Sequence, residues 1–142
     1  MDNPSVRRNE AELAVIRSIA GTPDDGPVLM INLNRYSSGA GFPGGVLYRE
    51  YMTGLEAFLP VVGGKILWRH PVLGQAVGEQ LIHEVLGAWY PSHQAFLDLP
   101  QANGANENYA LRRAAVEYAV IHRCAGTTYP FCPQEEEAES SS

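Results

Sequence analysis

The clearest pattern in the chain is VLMINLNRY at 28–36, an apolar stretch of alternating side chains bounded by Pro27 and a glycine-rich segment, which reads as a first strand. Ahead of it, Leu13, Ile16 and Ala20 form a stripe with Val15 and Ile19 alongside. That spacing predicts a helix entered at Asn3-Pro4 and closed by the turn formers GTPDDGP. After the strand, SSGAGFPGG reads as a flexible loop. From Val46, the positions Leu47, Tyr51, Leu55, Phe58 and Leu59 recur at helical spacing as far as Pro60 and Gly63-Gly64. KILWRH and HEVLGAWY are two further strands separated by too little chain for a crossover helix, which makes them an antiparallel hairpin. Ser92 caps a short helix with Phe96 and Leu99 facing inward, another helix begins at Asn106, and YAVIHR is the last strand.

Without the first helix the order is β-α-β-β-α-β. This is the ferredoxin-like or split βαβ arrangement, an α+β fold with helices on one face of a four-stranded antiparallel sheet. It divides the chain into an N-terminal helix and linker at 1–26, a ferredoxin-like domain at 27–125 and an acidic tail at 126–142. Strand one places Leu29, Ile31 and Leu33 on one side and Val28, Met30 and Asn32 on the other. The last strand sets Ala119 and Ile121 against Val120 and His122. Both faces are apolar, so the one without helices is expected to be buried on a second copy, with Met30, Asn32, Val120 and His122 on it.

At 142 residues the chain is one domain by length, and 45% hydrophobic residues are enough for a core. The net charge of −6 argues against nucleic acid, because phosphate contacts need clustered Lys and Arg. Four of the negatives, Glu135, Glu136, Glu137 and Glu139, belong to the tail, so the body is nearly neutral. Cys124 and Cys132 are too few for a disulfide framework. Arg7-Arg8 is followed by Glu10 and Glu12 where an export signal would turn apolar, and no apolar run reaches the ~20 residues of a membrane span. The expectation is a cytoplasmic protein with reduced thiols, no membrane partner and no cofactor.

Gly39-Ala40-Gly41-Phe42-Pro43-Gly44 matches G-x-G-x-x-G, but the loop begins past the strand end and the following hairpin replaces the crossover that a dinucleotide site needs. Gly63-Gly64-Lys65 is a helix stop, not a P-loop. His70, His83, His93 and His122 lack metal-ligand spacing, so no metal is expected. His93, in the first turn of a helix, is expected at the surface. His83 and Glu84 are expected on opposite faces of their strand and thus not paired. His122 or His83 is the candidate general base, since imidazole titrates near neutrality. Asn32 is the candidate donor to a developing oxyanion. Candidate binding residues are Arg35 at the end of strand one, the aromatic groups Tyr48, Tyr51, Trp68 and Trp89, and Arg112, which can meet an anion. The loop Ser37 to Gly45, rich in glycine, is expected to be the most mobile internal segment and to cover a ligand.

VLMINLNRY, YREYM, VGGKILW, AWYPSHQAFLDL and NYALRRAAVEY, in this order over roughly residues 27–123, resemble the domain of unknown function 1330 family of the dimeric α/β-barrel superfamily. The resemblance implies a homodimer whose two sheets face each other around a small lumen. It names no reaction. Distant members of the superfamily include cofactor-free monooxygenases, haem-degrading enzymes and muconolactone-type isomerases, some using an asparagine with a tryptophan and a histidine; the spacing here supports that only as analogy of fold. Two readings follow. One is a homodimeric domain binding a small apolar or aromatic molecule in the lumen, with cofactor-independent monooxygenase or isomerase chemistry as its enzymatic version. The other is a non-catalytic structural or regulatory dimer with a packed lumen.

Overall fold

Strict alternation along VLMINLNRY becomes strict alternation of burial: Val28 and every second residue after it to Tyr36 are buried, and the residues between them are half-exposed. The structure, a computed structural model, describes residues 8–127. Its elements are α1 (Glu10–Ile19), β1 (Val28–Tyr36), α2 (Val46–Phe58), β2 (Lys65–Pro71), β3 (Glu84–Tyr90), α3 (His93–Leu97), α4 (Ala105–Ala115) and β4 (Val116–Ala125), with short 3₁₀ turns at Ser38–Ala40, Leu59–Val62 and Leu99–Gln101. The four strands form one sheet in the order β2-β3-β1-β4, antiparallel throughout. The α+β class and the β-α-β-β-α-β succession are as the sequence predicts.

The core lies between one sheet face and the helices. Val28 and Met30 of β1 with Leu86, Ala88 and Tyr90 of β3 meet Tyr51, Met52 and Phe58 of α2 and Ala105 and Ala115 of α4. Ile16 joins the same core, and α1 is tied to β4 by the ion pair of Glu12 with Arg123. The helix starts later than its stripe suggests. Arg8 and Asn9 are not helical, and the Asn9 carboxamide caps α1 by accepting the Glu12 N–H at 3.1 Å. Asn3, Pro4, Cys132 and the acidic tail lie outside the described residues.

The pairing register corrects the expected second face. Ile31 pairs with His122 and Leu33 with Val120, so these four share the side away from the helices. Asn32 pairs with Leu86 and Met30 with Ala88, inside the core. Met30 and Asn32 therefore do not share a face with Val120 and His122. Alternation defines two sets of side chains in each strand, and only the register between strands says which sets go together.

The face away from the helices carries Leu29, Ile31 and Leu33 of β1, Val85 and Trp89 of β3, Trp68 of β2 and Val120 of β4. Trp68 lies flat across Gly87, where any Cβ would stand 2.7 Å from indole carbons; only glycine permits that contact. No helix among the described residues is long and apolar enough to cross a membrane.

Candidate functional site

β3 opens with a carboxylate on its buried face. Glu84 pairs with Asn34 across β1 and with Pro71 across β2, and it shares the helix-facing side with Leu86, Ala88 and Tyr90. It is 3% exposed. Taking a carboxylate out of water costs several kcal/mol unless donors replace the lost hydration. Two tyrosines supply them. The Tyr36 hydroxyl donates to Oε1 at 2.6 Å and the Tyr48 hydroxyl to Oε2 at 2.7 Å. The network extends outward: Asn34 Nδ2 donates to the Tyr36 oxygen at 3.3 Å, and Arg69 Nη1 donates to the Tyr48 oxygen at 3.0 Å. Burial first, and then the hydrogen bond to Glu84 and its charge, push both phenols far above the usual tyrosine range, so both keep the protons they donate. Asn34 Oδ1 is buried without a partner.

Above this network lies a cleft of about 600 Å³ between α2, the end of β2 and the loop before α2, lined by Phe42, Tyr48, Arg49, Met52, Arg69 and Glu84 among others. The loop is held in place, contrary to the expectation of a mobile lid. Ser37 Oγ caps its 3₁₀ turn by accepting the Ala40 N–H at 3.2 Å, and Ala40 is fully buried. Phe42 stacks on Tyr36 at 5.2 Å and on His83 at 5.7 Å, with its edge on Tyr48 at 4.8 Å. Gly45 closes the loop against the Ala40 carbonyl so tightly that a Cβ there would stand 2.4 Å from that oxygen. One aromatic side chain anchors what the glycine count alone makes look loose. A smaller pocket of about 340 Å³ lies beyond Phe42, lined by Arg35, Leu81, His83 and Glu117.

The predicted site residues separate into four places. Tyr48 is in the cleft. Tyr51 is behind it in the core, where its hydroxyl accepts from Arg112 Nη1 at 3.4 Å. Asn32 is buried on the helix side with its Nδ2 donating to the Met30 carbonyl at 3.1 Å. His122, Trp68 and Trp89 are on the opposite face of the sheet, so the expected pairing of His122 with Asn32 is not assembled. Lys65 lies over the Trp89 ring at 5.5 Å, and the indole N–H donates to the Gly126 carbonyl at 3.1 Å. Arg35 and His83 line the smaller pocket. Arg35 pairs with Glu117 at 2.8 Å and lies over the Tyr118 ring at 4.8 Å; His83 Nδ1 accepts the Tyr36 N–H at 2.9 Å.

His93 is buried, not at the surface as expected. Asp25, in the turn after α1, takes the His93 N–H at 2.7 Å and its Nδ1 at 2.9 Å on one oxygen, and the N–H groups of Gly21 and Gln94 on the other. Burial works to raise the Asp25 carboxyl, but these donors outweigh it and hold the group well below the ordinary range. Neither the cleft above Glu84 nor the smaller pocket beyond Phe42 is lined by Asp25 or His93.

The sequence reading missed Tyr36, Arg69 and Asn34 and set Glu84 aside. One signal was available: Glu84 occupies the same alternation phase as Leu86, Ala88 and Tyr90, a carboxylate in a core-facing set. Nothing local marks Tyr36 or Arg69 as its partners. Among the described residues, no group of three or more His, Cys, Asp or Glu is placed to hold a metal ion.

No protein-family model and no curated protein matches the chain. Among solved structures, a protein of unknown function from Rhodopseudomonas palustris, a structural genomics target, is similar at a TM-score of 0.69 and 25% identity, over 88% of this chain and 98% of that one. The methylated form of that protein gives a TM-score of 0.69 and 25% identity over 89% and 96%. The likeness extends over nearly the whole of that protein's chain and supports the α+β architecture.

Proposed function

We propose that this chain is a homodimeric small-molecule-binding protein of the domain of unknown function 1330 kind, and that its ligand occupies the cleft above Glu84. The observation that carries the reading is the buried carboxylate on the floor of an open cleft. The volume falls within the range of ordinary ligand sites. Ionisable groups perturbed by burial and by a specific charged partner, gathered in a cleft, are a mark of functional sites. The walls formed by Phe42, Pro43 and Met52 suit an apolar or aromatic body, and Tyr48 and Arg69 offer it polar contacts. This places the ligand on the helix side of the sheet, not in a lumen between two sheets. In a cofactor-free enzymatic version, Tyr48 touches the ligand and Glu84 acts through it.

The second copy covers the opposite face. Seven apolar side chains from all four strands share that face, which favours self-association through matching sheets. The reading of a non-catalytic, purely structural dimer has one observation in its favour: each Glu84 oxygen already holds a tyrosine hydroxyl, as in a simple tie between β3, β1 and α2.

Native mass spectrometry of freshly purified protein tests both parts at once. A dimer retaining a small molecule, with the molecule lost on Thr53→Trp, which fills the cleft from an exposed position of α2, is the expected result. A dimer that never carries a ligand and gains no thermal stability from any member of a broad compound library points to the structural reading. A monomer at micromolar concentration removes the dimer.

A further inference from the structure

We propose that the ligand carries a carboxylate, seated on Arg69 and Arg49, with its apolar or aromatic body against Phe42 and Met52. The inference rests on the cleft being the ligand site. Arg69 stands on the helix-facing side of β2, opposite Leu86. Its Nη1 donates to the Tyr48 hydroxyl, which donates in turn to Glu84. The guanidinium is thereby oriented without being used up. Two carboxylates lie near it, Glu84 at 3.8 Å and Glu56 at 3.6 Å, both beyond hydrogen-bond length. They contribute charge and take no hydrogen bond, so of the five N–H donors of a guanidinium one is committed among the described contacts.

Arg49 follows Tyr48 in α2 and lines the same cleft. Its Nε donates to the Gly44 carbonyl at 3.0 Å, which holds the chain over the cleft and leaves both terminal nitrogens without a partner among the described residues. A planar fork with free donors matches a carboxylate, which takes two parallel N–H bonds. The two resident carboxylates differ. Glu84 is satisfied by two phenols, whereas the Glu56 side chain is half-exposed and loosely paired with Arg69. Glu56 therefore occupies Arg69 the way a resident stand-in does, and an incoming carboxylate displaces it.

The test uses matched acids and amides: benzoate, phenylacetate and hexanoate, each beside its neutral amide, titrated calorimetrically into the full chain at millimolar concentration. The acids are expected to bind at least about tenfold more tightly than their amides, the difference made by charge-assisted bonds to Arg69 and Arg49. Arg69→Gln should weaken the acids by about 10- to 100-fold and leave the amides nearly unchanged. Glu56→Gln should tighten the acids several-fold. That substitution removes a half-exposed surface carboxylate and leaves the fold intact, so it decides the matter if circular dichroism shows Arg69→Gln unfolded. Amides binding as tightly as acids, or acids indifferent to Glu56→Gln, overturn the carboxylate assignment and leave the cleft as a ligand site. Failure of every acid and every amide to bind overturns the assignment and the reading of the cleft together.

Discussion

Tyr36 shows how much one side chain decides here. Its ring packs against Phe42, Tyr48 and His83, its N–H donates to His83 Nδ1, and its hydroxyl donates to Glu84. The ring can be kept and the hydroxyl removed. Tyr36→Phe leaves a buried carboxylate one donor short, which is expected to cost about 1.5–3 kcal/mol, the range for hydrogen bonds to charged groups. Tyr118→Phe is the control, because it loses only a contact with Gln80. Urea denaturation with an unchanged slope reads both. A loss at Tyr36 no larger than at Tyr118 would mean that Glu84 does not depend on this donor. Asn34 belongs to the same scale: its Nδ2 serves Tyr36 while its Oδ1 is buried without a partner, so polar satisfaction is incomplete at this pair.

At the scale of elements, Asp25 joins the α1–β1 connection to the start of α3, across 68 residues of chain. Its carboxyl is held below its ordinary value, so the tie contributes fully above the unfolded carboxyl's pKa of about 3.9 and fades as pH falls through the lower folded value. Asp25→Asn should lower stability by about 1.5–3 kcal/mol at neutral pH. Wild-type and variant stabilities should converge as the pH drops below about 4. Curves that stay parallel down to pH 2 would show that the tie does not depend on the ionised form. The loop before α2 gives a second test. Replacing Ser37–Gly45 by a four-residue turn removes Phe42 from its aromatic neighbours. Phe42 is half-buried, so loss of its burial alone should cost about 1 kcal/mol, read as a lowered melting temperature. An unchanged melting temperature would restore the view of the loop as a tolerated insertion.

For the whole molecule, the two sides of β1 make opposite predictions. Ile31 and Leu33 point away from the helices, so Ile31→Asp is expected to leave a folded chain and to abolish the proposed self-association. Met30 lies in the core, 2% exposed, so Met30→Asp should unfold the protein outright. Sedimentation velocity and circular dichroism together separate these outcomes. An Ile31→Asp protein that sediments as the wild type does would place any association elsewhere. The long connection from Val72 to His83 is a second surface to compare, since it leaves Leu73 and Val77 almost wholly exposed. Truncating the acidic tail from residue 134 is expected to leave stability nearly unchanged, because glutamate and serine bury no apolar area.

The sequence by itself determined the elements and their succession. The bounds of β1, the cap at Ser92, the hairpin of β2 and β3 and the helical stripe of α2 all follow from periodicity, turn chemistry and chain length, which act over a few residues. It also determined that each strand has two distinct faces, though not which faces align. That depends on register, and a register contact such as Ile31 with His122 joins residues far apart in sequence. The same reason governs the site. Glu84 was legible as a carboxylate in a core-facing phase. Its donors come from β1, α2 and, through Tyr48, from β2, and no local rule ties Tyr36, Tyr48 and Arg69 to it. His93 was misjudged likewise, because burial is a property of what the rest of the chain brings alongside. Periodicity fixes which way a side chain points; only the packed sheet and helices decide what it meets.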